Sequence, residues 1–152
     1  MTKLMLIKHD DSITQTCILL TQLSSATIKY IDNRYRKEQR LSMIRAMILR
    51  VMTDNGGTMT PSELASWTNT NRNNITAVIE RMKKDKLVST KRSRKDKRIV
   101  IISLTDEGRD VYKQAQPFAK VVSRELIKGM SQSDTHELAR LLNIIRINIE
   151  SD

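Results

Sequence analysis

The sequence contains few of the residues on which disulfide-linked, aromatic-rich and membrane-spanning proteins depend. Cys17 is the single cysteine, which excludes an internal disulfide framework and fits a reducing cytoplasm. Aromatic residues make up only 3% of the chain, so a core must be built from Leu, Ile, Val and Met, which suits helix packing. No apolar run approaches the ~18 residues of a membrane span, and residues 1–9 are too short and too interrupted for a signal peptide. We therefore expect a cytoplasmic protein without a membrane segment.

The patterns that carry catalysis are also missing from the sequence. There is no glycine-rich phosphate loop, no nucleophile elbow and no Cys–His pair. The two histidines have no Cys, His or carboxylate neighbour at a metal-ligand spacing. We expect no enzyme activity, no bound metal and no cofactor.

Positive charge is abundant and concentrated in one segment. The chain carries 27 Lys and Arg against 17 acids, a net charge of +10. Residues 72–98 hold 11 Lys and Arg and 3 acids, which leaves +8 in this segment. A charged, water-soluble protein would spread its charge, whereas a clustered excess is typical of a surface that meets a polyanion.

The local patterns around this basic segment predict a winged helix-turn-helix. Thr60 and Glu63 have the spacing of a capping box, and Pro61 occupies the first helical position. Asn71 can cap a second helix over about 72–85. Residues 87–90 and 99–103 are rich in β-branched side chains and are predicted as strands on either side of the charged loop 91–98. Two short helices followed by such a hairpin make a winged helix.

Helical patterns also flank the winged helix. Residues 10–36 are predicted as one long helix, and a second helix precedes a turn at Asp54–Gly57. Pro117 should kink the helix after residue 105 or start a new segment. The final helix is apolar on more than one stripe, which indicates packing between neighbours. We expect the chain ends to pack together and against a second copy, in one mainly α domain (1–152) with a small β wing: a winged helix-turn-helix part (41–104) and a helical dimerisation part (10–36 and 105–150).

Residues 41–111 resemble the MarR family of bacterial transcriptional regulators. The resemblance lies in the segments TPSELA from Thr60, RMKK from Arg81, the wing signature DKR at Asp96 and LTDEG from Leu104. Two positions depart from the family pattern, because Lys86 and Asn69 stand where the family usually has glycine. The resemblance implies a homodimer on a palindromic promoter site, often repressing, and often released when a small ligand binds.

The family geometry assigns two DNA contacts. The start of the predicted helix over 72–85 would enter the major groove, where Asn can pair with adenine and Arg with guanine. The wing would enter the minor groove through Arg98, with Asp96 holding its guanidinium and with the loop tip as the alternate contact. The expected DNA-binding residues are Asn71, Arg72, Asn73, Asn74, Thr76, Arg94, Lys95, Asp96 and Arg98. Capping and solvation are the simpler roles of these side chains, and we expect capping for Asn71.

Three further interpretations stay open at this level. An effector pocket between the dimer helices and the winged helix would be lined by Ile28, Ile31, Tyr35, Met43, Met47 and Tyr112, although Met at helical spacing is also typical of a core. Cys17 resembles the peroxide-sensing Cys of one family branch, but Thr21 and Ile31 stand where that branch has tyrosines, and a core role is the simpler one. The competing function is an architectural or protein-interaction winged helix without sequence specificity.

Overall fold

A computed structural model describes residues 10–151 of the chain. The expectation that the first nine residues are not a signal peptide lies outside the described residues. The chain divides into two compact units, with the boundary between Gln116 and Pro117. Within residues 10–151, none of the helices combines the length and the apolar character that crossing a membrane requires.

The elements follow one another in the order that the sequence predicts. They are α1 (Ser12–Gln39), α2 (Met43–Asp54), β1 (Thr58–Met59), α3 (Pro61–Trp67), α4 (Arg72–Lys84), β2 (Val88–Arg92), β3 (Val100–Leu104), α5 (Asp106–Leu126) and α6 (Gln132–Glu150). The predicted fold class, mainly α with a small β wing, is confirmed.

The three strands form an antiparallel sheet in the order β1-β3-β2. In the β2–β3 hairpin Val88 pairs with Leu104 and Arg92 with Val100, while β1 covers the other edge of β3 through Thr58 and Ser103. The core of the first unit lies between this sheet and α2, α3 and α4. Its fully buried large side chains are Ile48, Leu49, Met52, Leu64, Ile75, Met82, Val88 and Ile102.

Local chemistry explains where α3 begins. The hydroxyl of Thr60 accepts a hydrogen bond from the backbone N–H of Glu63 (3.3 Å), and the Glu63 carboxylate accepts one from the backbone N–H of Thr60 (2.7 Å). The N–H and hydroxyl of Thr60 both lower the pKa of Glu63 because they stabilise its charged form. The predicted capping box, with Pro61 in the first turn, is confirmed.

The start of α2 is capped by a residue from α1. The Ser42 side chain makes no capping hydrogen bond, and the carboxylate of Asp32 accepts one from the N–H of Met43 instead (2.8 Å). Arg36, one turn along α1, donates to the same carboxylate (2.5 Å). Burial opposes the charged form of Asp32, but the bonds from Arg36 and Met43 outweigh it and lower the pKa of this carboxyl group. This contact fixes the corner between α1 and α2.

The second unit contains the end of α5 and all of α6. Pro117 lies inside α5, which continues to Leu126, so the alternative that Pro117 starts a new segment is wrong. Ser131 and Asp134 form a capping box at the start of α6. None of the residues of α6 is buried. Its large apolar side chains that lie exposed in the single chain are Leu138, Leu141, Leu142, Ile144, Ile147 and Ile149.

Candidate nucleic-acid interface

Helix α4 has one buried face and one polar face. Ile75, Ile79 and Met82 are buried and anchor it to the core. Asn71 caps the helix, because its side-chain oxygen accepts a hydrogen bond from the N–H of Asn74 (2.9 Å). The capping role expected for Asn71 is thereby confirmed.

The first turn of α4 presents the side chains that the sequence assigned to base contacts. Arg72, Asn73, Asn74 and Thr76 are all exposed. The hydroxyl of Thr76 donates to the carbonyl of Arg72 (2.9 Å), which leaves its oxygen lone pairs as acceptors. These four polar side chains are therefore exposed near the N-terminal end of α4.

The end of α4 turns back on itself in a Schellman motif. Lys86 has a φ of 58°, its N–H bonds the carbonyl of Lys83 (3.0 Å), and the N–H of Leu87 bonds the carbonyl of Met82 (2.9 Å). This is the left-handed position that the sequence predicted where the family usually has glycine. Asn69, in the turn before α4, likewise has a positive φ of 46°. Both departures from the family pattern occupy the backbone conformation expected of them.

An ion pair that the sequence did not predict also holds the end of α4. The guanidinium of Arg45 on α2 lies 2.5 Å from the carboxylate of Asp85. The Arg45 side chain is 21% exposed and that of Asp85 is 53% exposed, so only the arginine is partly shielded from water. The pair connects the C-terminal end of α4 to α2.

The segment after β3 fastens α5 to the corner between α4 and β2. Thr105 donates its hydroxyl to the carbonyl of Lys86 (2.6 Å) and its N–H to the carbonyl of Leu87 (3.2 Å). The same hydroxyl accepts from the N–H of Gly108 (3.0 Å), which caps α5. A Cβ at Gly108 would lie 2.1 Å from the Leu87 carbonyl oxygen, so this position requires glycine. These contacts give a physical reason for the Leu-Thr-x-x-Gly pattern.

The tip of the wing is closed by hydrogen bonds within the loop. The N–H of Ser93 bonds the carbonyl of Ile99 (2.9 Å), and the N–H of Ile99 bonds the carbonyl of Asp96 (3.0 Å). The hydroxyl of Ser93 accepts from the N–H groups of Lys95 (3.2 Å) and Asp96 (3.4 Å). These hydrogen bonds close the loop, and the side chains of Arg94 and Lys95 are exposed.

Asp96 positions the backbone of the wing. Its carboxylate accepts a hydrogen bond from the backbone N–H of Arg98 (2.9 Å), whereas we expected it to hold the Arg98 guanidinium. The side chains of both residues are exposed. The sequence motif places two charges near each other but does not distinguish a backbone donor from a side-chain donor.

Arg92 is a wing residue whose role the sequence did not reveal. Its Nη1 donates to the carbonyl of Lys97 across the loop (2.9 Å). In the sequence Arg92 is one of a run of cations, and only the register Arg92–Val100 shows that it lies at the base of the tip.

A cleft of about 370 Å³ lies between α4 and the wing sheet. Its floor is apolar, and charged and hydroxyl side chains from both elements line its sides. The lining residues are Pro61, Arg72, Thr76, Ile79, Glu80, Thr90, Lys91, Arg92, Val100 and Ile102. Of the residues that the sequence assigned to DNA, Arg72 and Thr76 line this cleft, and the assigned residues of the wing tip do not.

The residues predicted for an effector pocket differ in burial. Tyr35 is 8% exposed, Ile31, Met43, Met47 and Tyr112 are half-buried, and Ile28 is 55% exposed. Burial and the nearby Tyr112 raise the pKa of Tyr35, with Arg50 acting in the opposite direction. These tyrosines therefore lie near each other, and their part in a ligand pocket remains a prediction.

Cys17 is exposed on α1. The simpler interpretation, a cysteine in the core of the chain, is therefore wrong. Thr21, which stands where peroxide sensors have a tyrosine, donates its hydroxyl to the backbone carbonyl of Cys17 (2.9 Å).

Known proteins with similar folds are regulators of transcription. AbsC, a MarR family regulator from Streptomyces coelicolor, has 21% identity and a TM-score of 0.80, with 95% of this chain and all of that chain covered. BpsR from Bordetella bronchiseptica, whose DNA binding is regulated by 6-hydroxynicotinic acid, has 21% identity and a TM-score of 0.76, with 87% of this chain and 98% of that chain covered. The resemblance to the MarR fold is confirmed.

Sequence comparisons agree with the structural ones. The HTH-type transcriptional repressor IacR of Pseudomonas putida is 26% identical over 125 residues, which are 81% of this chain and 74% of that protein. The profile of the SarA/Rot transcriptional regulators matches residues 26–115, from α1 through the whole winged helix into α5. Since this match spans more than half of its length, the chain belongs to the SarA/Rot family of winged-helix transcriptional regulators.

Proposed function

We propose that the protein is a homodimeric, sequence-specific repressor that binds a pseudo-palindromic site in double-stranded DNA. It would act in the cytoplasm, and a small molecule would release it from DNA. The observation that carries this proposal is the exposed first turn of α4, where Arg72, Asn73 and Asn74 stand free of the core. Asn and Arg read adenine and guanine in the major groove through paired hydrogen bonds.

The wing supplies a second contact in the proposal. The loop hydrogen bonds hold the tip in one conformation, so little conformational entropy is lost when it meets DNA. Arg98 would enter the minor groove, where a narrow A·T tract attracts arginine. Arg94 and Lys95 are the alternates at the tip. A dimer carrying two such units reads half-sites about one helical turn, ~34–36 Å, apart.

The homodimer is proposed from the apolar surface of α6. Leu138, Leu141 and Leu142 are each at least 40% exposed in the single chain. Large apolar side chains at helical spacing need a partner to leave water. A second copy of the same helix, together with α1, would supply it. The part of α1 that carries Cys17 would then lie at or near the interface.

Repression and release are proposed by analogy. IacR is named a repressor, and DNA binding by BpsR is regulated by 6-hydroxynicotinic acid. The half-buried region around Tyr35 and Tyr112 is the candidate effector site in this chain. A ligand there would act by binding the DNA-free conformation more tightly than the DNA-bound one.

The test selects bound duplexes from a random pool and compares affinities at physiological salt. We expect a symmetric selected site that binds far more tightly than random DNA. Asn73→Ala should weaken binding to the selected site by about 1–3 kcal/mol and leave random DNA almost unchanged. Arg98→Ala should also cost about 1–3 kcal/mol if it reads a base. Lys113→Ala, on the exposed surface of α5, is the control. Equal affinity for selected and random duplexes would favour the architectural alternative.

The peroxide-sensing alternative has its own measurement. Peroxide treatment should leave the DNA affinity unchanged if Cys17 has only a structural role. A loss of affinity that disappears in Cys17→Ser would instead identify Cys17 as a sensor.

A further inference from the structure

Resting on the DNA-binding function proposed above, we propose that Arg45 on α2 is a positioning residue for DNA recognition. Through its ion pair with Asp85, Arg45 holds the tilt of α4. The tilt in turn sets how well the first turn of α4 distinguishes one base sequence from another. Neither residue is among those that the sequence assigned to DNA, and neither would touch a base.

The ion pair lies at the end of α4 that is opposite to its exposed first turn. Nη2 of Arg45 is 2.5 Å from Oδ2 of Asp85, the C-cap residue of α4. The pair between Arg50 and Asp54, by contrast, joins two residues of the same helix. The Arg45–Asp85 pair can therefore affect the placement of α4 on α2, which a pair within α2 cannot.

Local preferences do not explain either member of the pair. The carbonyl groups at the C-terminus of a helix favour cations, and the last turn of α4 carries Arg81, Lys83 and Lys84, whereas Asp85 is an acid. Nε of Arg45 is buried and, within the part of the chain that the structure describes, has no hydrogen-bond partner, which opposes folding. Positions that break such local rules are typically functional.

Helix α2 gives Arg45 a fixed base. Ile48 and Leu49 are fully buried and anchor α2 in the core. The carboxylate of Asp32 accepts a hydrogen bond from the N–H of Met43, two residues before Arg45 (2.8 Å). A change in the ion pair should therefore move α4 more than α2.

Ile79 is buried near the middle of α4, between the ion pair and the exposed first turn. It lies seven residues from Arg72 and six from Asp85, which is about 10 Å and about 9 Å along the helix axis. If α4 pivots about Ile79, a shift of about 1 Å at Asp85 moves the first turn by about 1 Å. Hydrogen bonds to base edges tolerate changes of only about 0.5 Å, whereas the attraction of cations to phosphates falls slowly with distance.

The exposure of the pair limits the size of the effect. The side chains of Arg45 and Asp85 are 21% and 53% exposed, and ion pairs this open to water change an equilibrium by at most about fivefold. A contact cannot shift the tilt of α4 by more than its own free energy. The loss of the pair should therefore lower discrimination by about three- to fivefold and change stability little.

The experiment measures the ratio of affinities for the selected and random duplexes by fluorescence anisotropy at physiological salt. It compares the full chain with Arg45→Met and Asp85→Asn. The first variant removes a positive charge and the second a negative one, so their affinities for random DNA should move in opposite directions. The ratio should nevertheless fall by about three- to fivefold in both. A role in charge alone would not lower the ratio in both variants.

Three further variants complete the comparison. Arg50→Met removes the same charge from α2 without touching α4, so it is the matched control and should keep the wild-type ratio. Arg45→Met/Asp85→Asn should lose no more than either single variant, because both disrupt one contact. Arg45→Glu/Asp85→Arg exchanges the two charges and should restore the ratio to within about twofold of the wild type. Rescue by exchanged charges separates positioning from a loss of folded protein.

The outcomes distinguish this inference from the function on which it rests. A wild-type protein that binds selected and random duplexes equally contradicts the proposed function. A wild type that prefers the selected duplex, together with an unchanged ratio in Asp85→Asn, overturns the positioning role alone. A ratio that falls in Arg45→Met but rises in Asp85→Asn also overturns it. Should Arg45→Met fail to fold, Asp85→Asn, which alters the more exposed member of the pair, still decides.

Discussion

Gly108 lies so close to the backbone of Leu87 that any larger side chain at this position would clash with it. In Gly108→Ala the new Cβ would lie 2.1 Å from the carbonyl oxygen of Leu87 and 2.9 Å from a methyl carbon of Leu104. The first neighbour is backbone and cannot rotate away. The start of α5 must therefore move by about 1 Å from the corner between α4 and β2 before ordinary contact is restored.

The cost of that movement can be worked from the contacts that it disturbs. Overpacking of this kind costs about 1–3 kcal/mol. The hydrogen bonds from Thr105 to the carbonyls of Lys86 and Leu87 hold the same contact between α5 and the corner of α4 and β2, and each contributes about 1 kcal/mol. Alanine is favoured over glycine in a helix by about 1 kcal/mol, which offsets part of the loss. The expected net destabilisation is about 2–4 kcal/mol.

Urea denaturation measures this cost directly. The midpoint of Gly108→Ala should fall with an unchanged slope, because the surface exposed on unfolding stays the same. Glu107→Ala, in the same helical turn but exposed, is the control and should change stability by less than about 1 kcal/mol. A Gly108→Ala protein as stable as the wild type would refute the close approach of α5 to Leu87.

Substitutions at three further positions test the left-handed residue Lys86, the Asp32 cap of α2 and the Asp96 hydrogen bond in the wing. Lys86→Gly should stabilise the protein by about 0.5–1 kcal/mol in the same assay, because glycine adopts the positive φ of this residue without strain. Asp32→Asn should cost about 1 kcal/mol at neutral pH, because it removes the charged acceptor of the Arg36 ion pair. The lowered pKa of Asp32 stabilises the fold above the usual carboxyl pKa and is lost as pH falls through the lowered value, so the variant should lose less stability on acidification. Asp96→Ala should weaken DNA binding although it removes an acid, whereas Asp96→Asn, which still accepts from the Arg98 N–H, should bind at least as tightly as the wild type. Tighter binding by Asp96→Ala would mean that Asp96 affects DNA binding only through its negative charge, and not through its hydrogen bond to Arg98.

Local features were predictable from the sequence because neighbouring residues create them. The Thr60–Glu63 capping box, the Asn71 cap and the left-handed residues Asn69 and Lys86 each depend on a few consecutive positions. The strand pair was predictable from β-branched residues on either side of a charged loop. The hairpin follows from this pattern, although β2 and β3 begin and end a residue or more away from the expected bounds, and the register of the pair comes from the structure alone.

Contacts between distant segments were not predictable in the same way. Periodicity marks Arg45 and Asp85 as charged helix residues and gives no sign that their side chains meet. The sequence shows Asp96 and Arg98 as a charge pair, but the bond goes to a backbone N–H, which no side-chain pattern reports. Cys17 lies on an apparent apolar stripe, yet its side chain is exposed in the single chain.

The spacing of the half-sites is the sharpest test of the proposed dimer. Two copies of the chain would present two recognition helices to one duplex at a fixed separation. Anisotropy titrations would compare the selected duplex with one that carries about five additional base pairs, half a helical turn, between its half-sites. We expect this insertion to lower the affinity to that for random DNA, and about ten inserted base pairs to restore part of it. An affinity that does not respond to the insertion would contradict the dimeric, two-site reading of DNA.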